Sequence, residues 1–466
     1  MNKARDKAAA PDAGRRAPTG GPGATVAQRL DGLPLTRLHG AILAVCTFGF
    51  FTDVAEVALG NALAAIFTAP PHSMARASLS LLLASVFAGG AVGAPVFGML
   101  GDRIGRRRAL QASLVLMALG SLAAALSPDL ASLTLARAVS GFAIGGFPPL
   151  AATYLTDVMP PRRRGAMLLA CTGLGSLGGA AVVGLVYALT PAPPLGVEAW
   201  RWALGLGTVL ALLGAVLFGP MPESPRWLAA VGRGAEADRA CRRFEAAARI
   251  APPDASDGPA PAPGGPARAG FGALLADAAQ RRRTGWFVVL YGVAPWATLG
   301  FPLLSAVVML QKGFRVDQSL VFGALSLLGP PLGTTLTALV VDRLERRACL
   351  VALAAAMAGL GTVFAAGSSF PVLVLAGIAF NTAASTYGGI LAIHATELLP
   401  TAVRASALAC AWAGGRVSAA LAPIVLLPIL AAHGAHAMFG VITLALVLSG
   451  LLLLGGPRGL SGRTVA

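Results

Sequence analysis

Four ionisable side chains stand inside long apolar runs of this chain: Asp53, Glu56, Arg137 and Arg416. A charge at the centre of an apolar helix costs roughly 2.5–3.5 kcal/mol on insertion scales, so each of the four requires a reason. Asp53 and Glu56 are three residues apart and share one helix face. Two carboxylates that close and that poorly solvated do not both ionise readily. Such a pair can carry a proton; alternatively, Glu56 neutralises Arg137 and holds two helices together. Arg416 has no acid in its own run. A buried guanidinium suits a bidentate grip on a substrate carboxylate, or an ion pair to Asp53 that would itself act as a gate. Arg137 reads as a proton-relay or packing residue.

Around these four, Tyr291, Trp296, Asn381 and Tyr387 are candidates to line the same cavity, with a core or lipid-facing position as the alternative for each. His394 reads as a packed, hydrogen-bonded histidine. A second kind of charged cluster lies in the loops. Asp102, Arg103, Arg106 and Arg107 recur 240 residues later as Asp342, Arg343, Arg346 and Arg347. Asp157, Pro160 and Arg164 recur at the same offset as Glu397, Pro400 and Arg404. Two clusters in one register mark a duplicated structural unit. These residues read as a gating network, a breakable set of charges that latches one side of the molecule; anchoring of topology by positive charge is the plainer alternative. Asp53, Glu56, Arg137 and Arg416 have no charged counterpart at that offset.

The elements that must position these residues are membrane helices. The chain is 56% hydrophobic and 12% charged, against about 25% charged residues in a soluble domain. Apolar runs of about 20 residues, enough to span a ~30 Å hydrocarbon core, lie near 40–66, 77–100, 109–127, 131–156, 165–190, 200–219, 284–309, 318–341, 348–367, 371–397, 405–431 and 435–455. The fold expected is all-α: twelve transmembrane helices arranged as two pseudo-symmetric six-helix bundles. The bundles cover 37–219 and 284–456, joined by a cytoplasmic linker with short helices over 220–283. Residues 1–36, rich in Pro, Gly, Ala and Arg, read as a disordered cytoplasmic tail, and 457–466 as a second tail. At ~1.5 Å of rise per residue, Asp53 and Arg416 fall near mid-depth. Glu56 lies one turn further out, and Arg137 within reach of it.

The net charge of +16 invites a nucleic-acid partner, but its placement argues for a bilayer instead. Of 36 Lys and Arg, only Arg76, Arg201, Lys312 and Arg315 fall on outer loops if the N-terminus is inside. That is the positive-inside asymmetry; it puts both termini in the cytoplasm. The five cysteines are scattered and have neither metal-ligand spacing nor the pattern of a disulfide framework. No phosphate-binding loop or metal-ligand motif is present, so an enzyme, a bound cofactor or ATP-driven transport finds no support. Polar residues at the interface of two repeated membrane bundles point to a secondary transporter with its site near mid-depth.

The residues of 37–456 resemble the major facilitator superfamily. The loop Gly98-Met-Leu-Gly-Asp102-Arg103-Ile-Gly105-Arg106-Arg107-Arg108 matches the signature loop of that family, and its degenerate copy follows span eight. Arg137-xxx-Gly141-xxx-Gly145 in span four is another family pattern, as is Pro222-Glu223-Ser224-Pro225-Arg226-Trp227-Leu228 after span six. Asp53-Val-Ala-Glu56 and Gly415-Arg416, with Pro423 following, are most similar to the aromatic-acid and metabolite proton symporters. The sugar-porter tail motif, the sugar-porter glutamine pair in span seven and the antiporter proline in span five are absent, and Leu150 stands where those symporters show a polar residue. The resemblance implies proton-coupled uptake of a small organic anion by a monomer in a bacterial inner membrane. Proton-coupled efflux of diverse compounds and a non-transporting membrane sensor are the competing readings.

Overall fold

The computed structural model describes residues 25–249, 277–340, 345–399 and 404–456; the side chains of 162, 339–340, 396, 404–406 and 409 are outside that description. Asp342, Arg343, Pro400 and the side chain of Arg404, all counted in the loop clusters above, therefore lie outside the described residues. So do 1–24, 250–276 and 457–466.

The described chain is helical throughout, with no strand among the described residues. Six spans form the first half: Arg37–Thr68, Arg76–Ile104, Arg106–Ala125, Leu130–Val158, Arg164–Leu189 and Ala199–Leu217. In the second half Ala278–Gln311, Val316–Val340, Arg346–Ala366 and Phe370–Leu398 are spans seven to ten. The stretch Arg404–Gly455 follows. At ~1.5 Å per residue its 52 residues are more than twice the length needed to cross. Gly434, with φ of 78°, interrupts it, and only glycine adopts that backbone without penalty. The chain doubles back there: Gln311 at the far end of span seven donates to the Leu430 carbonyl, while Trp286 near its start donates to that of Leu452. The stretch is thus spans eleven and twelve.

Local chemistry sets the breaks. Asp129 caps span four by accepting from the Ser132 amide at 2.8 Å. Span seven is cut at Pro295, where the ring cannot continue the helix ladder. Span eight breaks between Ser326 and Gly329, just before Pro330 and Pro331.

The 240-residue register continues into the packing. A Cβ on Gly89 or Gly93 of span two would overlap the carbonyls of Ala138 and Phe142 in span four. A Cβ on Gly329 or Gly333 of span eight would overlap those of Ile378 and Thr382 in span ten, the same four positions moved by 240. Small residues let these backbones touch. The halves then meet along three seams. Span one packs on seven, two on eleven and five on eight, with hydrogen bonds from Asn61 to the Pro302 carbonyl and from Ser80 to that of Pro423.

The linker begins as two helices, Pro225–Ala230 and Gly234–Ala248, parted by Gly232 at φ 79°. The tail expected over 1–36 needs correction at its end. Val26–Asp31 is a helix with a Thr25 capping box. Arg29 grips Glu245 at 2.8 Å and Asp238 at 2.7 Å, and Asp31 meets Arg164 and Arg226. Those charged contacts offset the low apolar content that suggested disorder.

Candidate functional site

Glu56 and Arg137 form a closed, buried unit. Arg137 donates to Glu56 Oε2 at 2.7 Å and to the Glu56 backbone carbonyl at 2.7 Å, and Ser121 of span three donates to Oε1 at 2.6 Å. Both side chains are buried, so the pair sits in a low-dielectric setting where removing one partner strands the other. Gly207 of span six seals the unit, since a Cβ there would overlap Glu56 Oε1. Four spans therefore converge on one carboxylate.

Asp53 is different. It is equally buried, yet its Oδ1 has no hydrogen-bond partner among the described residues. The charged groups acting on it are Arg416, from the other half of the molecule, and Glu56 on its own helix. Arg416 is partly exposed and lies 5.9 Å over the Trp412 ring, against Gly90 of span two. Among the described residues neither Asp53 nor Arg416 closes an ion pair within 4.0 Å. A carboxylate and a guanidinium from the two halves thus lie within electrostatic reach of each other without joining.

Tyr291 and Trp296 pack on the stretch of span eleven that carries Arg416. The Tyr291 ring is 6.3 Å from Trp412, and the Trp296 indole donates to Ser418 Oγ at 2.9 Å, which in turn donates to the Gly292 carbonyl. Trp296 occupies the position 240 residues on from Glu56. The other two cavity candidates are used within the second half. Asn381 donates to the Ser326 carbonyl at 3.0 Å, and Tyr387 hydrogen-bonds Ser449 of span twelve. Asn381 is the repeat position of Gly141, and Ser326 that of Val86, whose carbonyl a Cβ on Gly141 would overlap. Where the first half uses bare glycine contact, the second uses a side-chain hydrogen bond. His394 is packed between Trp286 and Phe287, but neither ring nitrogen finds a partner among the described residues, so its expected hydrogen bonding is not seen.

In the loops, Arg106 meets Asp102 at 2.6 Å and Asp157 at 3.7 Å. At the repeat positions Arg346 meets Glu397 at 3.2 Å. Each of these pairs stays within one half. Arg107 donates to the carbonyls of Gly219 and Met221, and Arg103 is exposed. Ser224 and Arg226 of the Pro-Glu-Ser-Pro-Arg-Trp string bond the carboxylate and the backbone carbonyl of Asp157. Ser121, Gly207 and Asn61 escaped the sequence reading; a lone serine or glycine in an apolar run carries no spacing signal.

Comparison with known proteins agrees with this architecture. The family model described as sugar (and other) transporter matches residues 41–454. The putative metabolite transport protein YyaJ of Bacillus subtilis is 28% identical over 85% of this chain and 87% of its own. The niacin transporter NiaP of Acinetobacter baylyi is 26% identical over 90% and 94%. Among solved structures, the partially occluded inward-open form of the xylose transporter XylE from Escherichia coli superposes with a TM-score of 0.73, at 18% identity over 92% of this chain and all of that one.

Proposed function

The chain belongs to the sugar (and other) transporter family of the major facilitator superfamily, and from that premise we infer that it couples proton entry to uptake of a small organic acid. The membership makes it a multi-pass membrane transporter and not an enzyme. On this reading it is a symporter acting as a monomer in a bacterial inner membrane, both termini cytoplasmic, with the two halves rocking about a site between them.

The observation that carries it is that Asp53 and Arg416, from the two halves, lie within electrostatic reach without joining. An orphaned carboxylate oxygen out of water is costly unless it binds a proton or a cation. When a substrate carboxylate takes Arg416 through two parallel N–H···O bonds, Asp53 loses the field of that guanidinium and holds a proton more readily. Substrate and proton then bind together, which is symport. Tyr291 and Trp296 supply the apolar wall along that stretch of span eleven. Glu56 and Arg137, already closed on each other with Ser121, act as a support for span one and as a second proton site only if that pair opens. Asn381 and Tyr387 act indirectly, by fixing span ten to spans eight and twelve. The relative named as a niacin transporter supports an acid, because niacin is an aromatic carboxylic acid.

In proteoliposomes, uptake of radiolabelled nicotinate and a panel of other small carboxylates should rise when an inward proton gradient is imposed. Uptake indifferent to the gradient would remove the coupling. Uptake of neutral sugars alone would remove the acid and leave the family membership standing.

A further inference from the structure

At the arginine-rich end of the first half lies a cavity of about 240 Å³, remote from the seam. Its walls are the loop after span two (Ile104, Arg107, Arg108), the linker segment from Pro222 to Leu228, and the helix Gly234–Ala248. Five arginines line it against two glutamates. Both glutamates are already engaged. Glu223 Oε1 accepts from the backbone amides of Arg107 and Ser224, and Glu236 is gripped twice by Arg233. Four arginines have partners as well: Arg107 on the Gly219 and Met221 carbonyls, Arg243 on that of Pro220, Arg239 through its Nε on that of Ala235 at 3.4 Å, and Arg233 on Glu236. Arg108 and Arg239 are exposed, and neither forms an ion pair among the described residues. Their fields converge: after Arg233, they too hold the Glu236 carboxyl below its ordinary pKa. Trp227, buried beneath Arg233 at 5.7 Å, gives the cavity an apolar floor.

We propose that this cavity binds a phosphate-bearing anion through the guanidinium groups of Arg108 and Arg239, with Arg233 and Arg243 completing the ring. Guanidinium forks match phosphate oxygens in pairs, and the site holds more positive charge than its own acids use. The volume sets the size of the ligand. It is below the ~300–1,000 Å³ of sites for drug-sized molecules, so it suits a phosphate with a small organic substituent. A soluble phosphate monoester and the headgroup of an anionic phospholipid both meet that description. Bound there, either would tie the linker helix to the loop between spans two and three. The proposal does not depend on what the central site carries.

The test is thermal unfolding of the purified full-length protein. In lipid-free detergent, glycerol phosphate is compared with sodium chloride at matched ionic strength. In nanodiscs, phosphatidylcholine is compared with phosphatidylcholine containing phosphatidylglycerol. Stabilisation by glycerol phosphate assigns the soluble source; stabilisation by phosphatidylglycerol alone assigns the headgroup. In either case the R108Q/R239Q protein should bind the effective ligand about tenfold or more weakly, the loss expected for removed charge-assisted hydrogen bonds. No stabilisation by either ligand, or an equal response from the double variant, overturns the proposal. If the double variant melts too low to assay, R108Q alone is read in the same way.

Discussion

At the residue scale, the two acids of span one have different surroundings, although the sequence presents them as a matched pair. Glu56 has its oxygens shared between Arg137 and Ser121, whereas Asp53 keeps an oxygen with no partner. Mutation should separate them. Asp53→Asn is expected to abolish accumulation driven by a pH gradient while leaving substrate exchange at equilibrium intact, a split that counterflow and gradient-driven uptake measure side by side. Loss of both activities would return Asp53 to a folding role. Arg416→Lys retains the charge but loses the fork, so binding of an acidic substrate should weaken about tenfold or more; unchanged affinity in a binding titration would remove the carboxylate grip. Arg137→Met leaves Glu56 buried without its cation and should cost about 3–5 kcal/mol. Adding Glu56→Gln should recover a large part of that in the same denaturation assay, because the stranded charge, and not the missing bond, dominates the loss. The sequence placed all four charges inside helices. It offered the Glu56–Arg137 pair that the structure closes, but not its third member, because a hydroxyl such as that of Ser121 has no recognisable spacing.

At the element scale, the duplication seen in charged loops also governs how helices touch. Gly89 and Gly93 against span four, and Gly329 and Gly333 against span ten, keep one register. The number of spans and the offset between halves were legible because apolar length and repeated charge are local signals. The role of Asn381 was not. A polar residue in an apolar run reads as a cavity residue until its repeat position, Gly141, shows that both meet the equivalent carbonyls of Ser326 and Val86. Ser326 is the last residue before the break in span eight, so its carbonyl lacks a partner in a continued helix. Asn381→Ala should therefore lower stability by about 1–3 kcal/mol with substrate affinity unchanged, as a paired melting and binding experiment would detect. A change in affinity without one in stability would restore Asn381 to the substrate site. The N-terminal helix Val26–Asp31 was missed for a related reason. Its stability comes from Arg29 and Asp31 reaching residues far along the chain, and no window of sequence contains both partners.

At the scale of the whole molecule, the state of the protein is set by where its halves touch. The hydrogen bonds that Asn61 makes to Pro302 and Ser305, and Ser80 makes to Pro423, lie toward the end opposite the arginine-rich loops. The loop pairs Arg106–Asp157 and Arg346–Glu397 each stay within their own half. A carrier that rocks about a mid-depth site must break the first set to expose that site on the other side. The Asn61 amide and the Ser305 hydroxyl are 3.4 Å apart, so cysteines at these positions are close enough to be cross-linked in the state described. In a background stripped of the five native cysteines, Asn61→Cys/Ser305→Cys should transport when reduced and lose transport on oxidation, with reductant restoring it. The cross-link holds the seam closed without touching Asp53 or Arg416, so binding from the arginine-rich side should survive oxidation even as turnover stops. Full transport through a cross-linked seam would mean that this face need not part, and rocking about Asp53 and Arg416 would have to be abandoned for motion within one half.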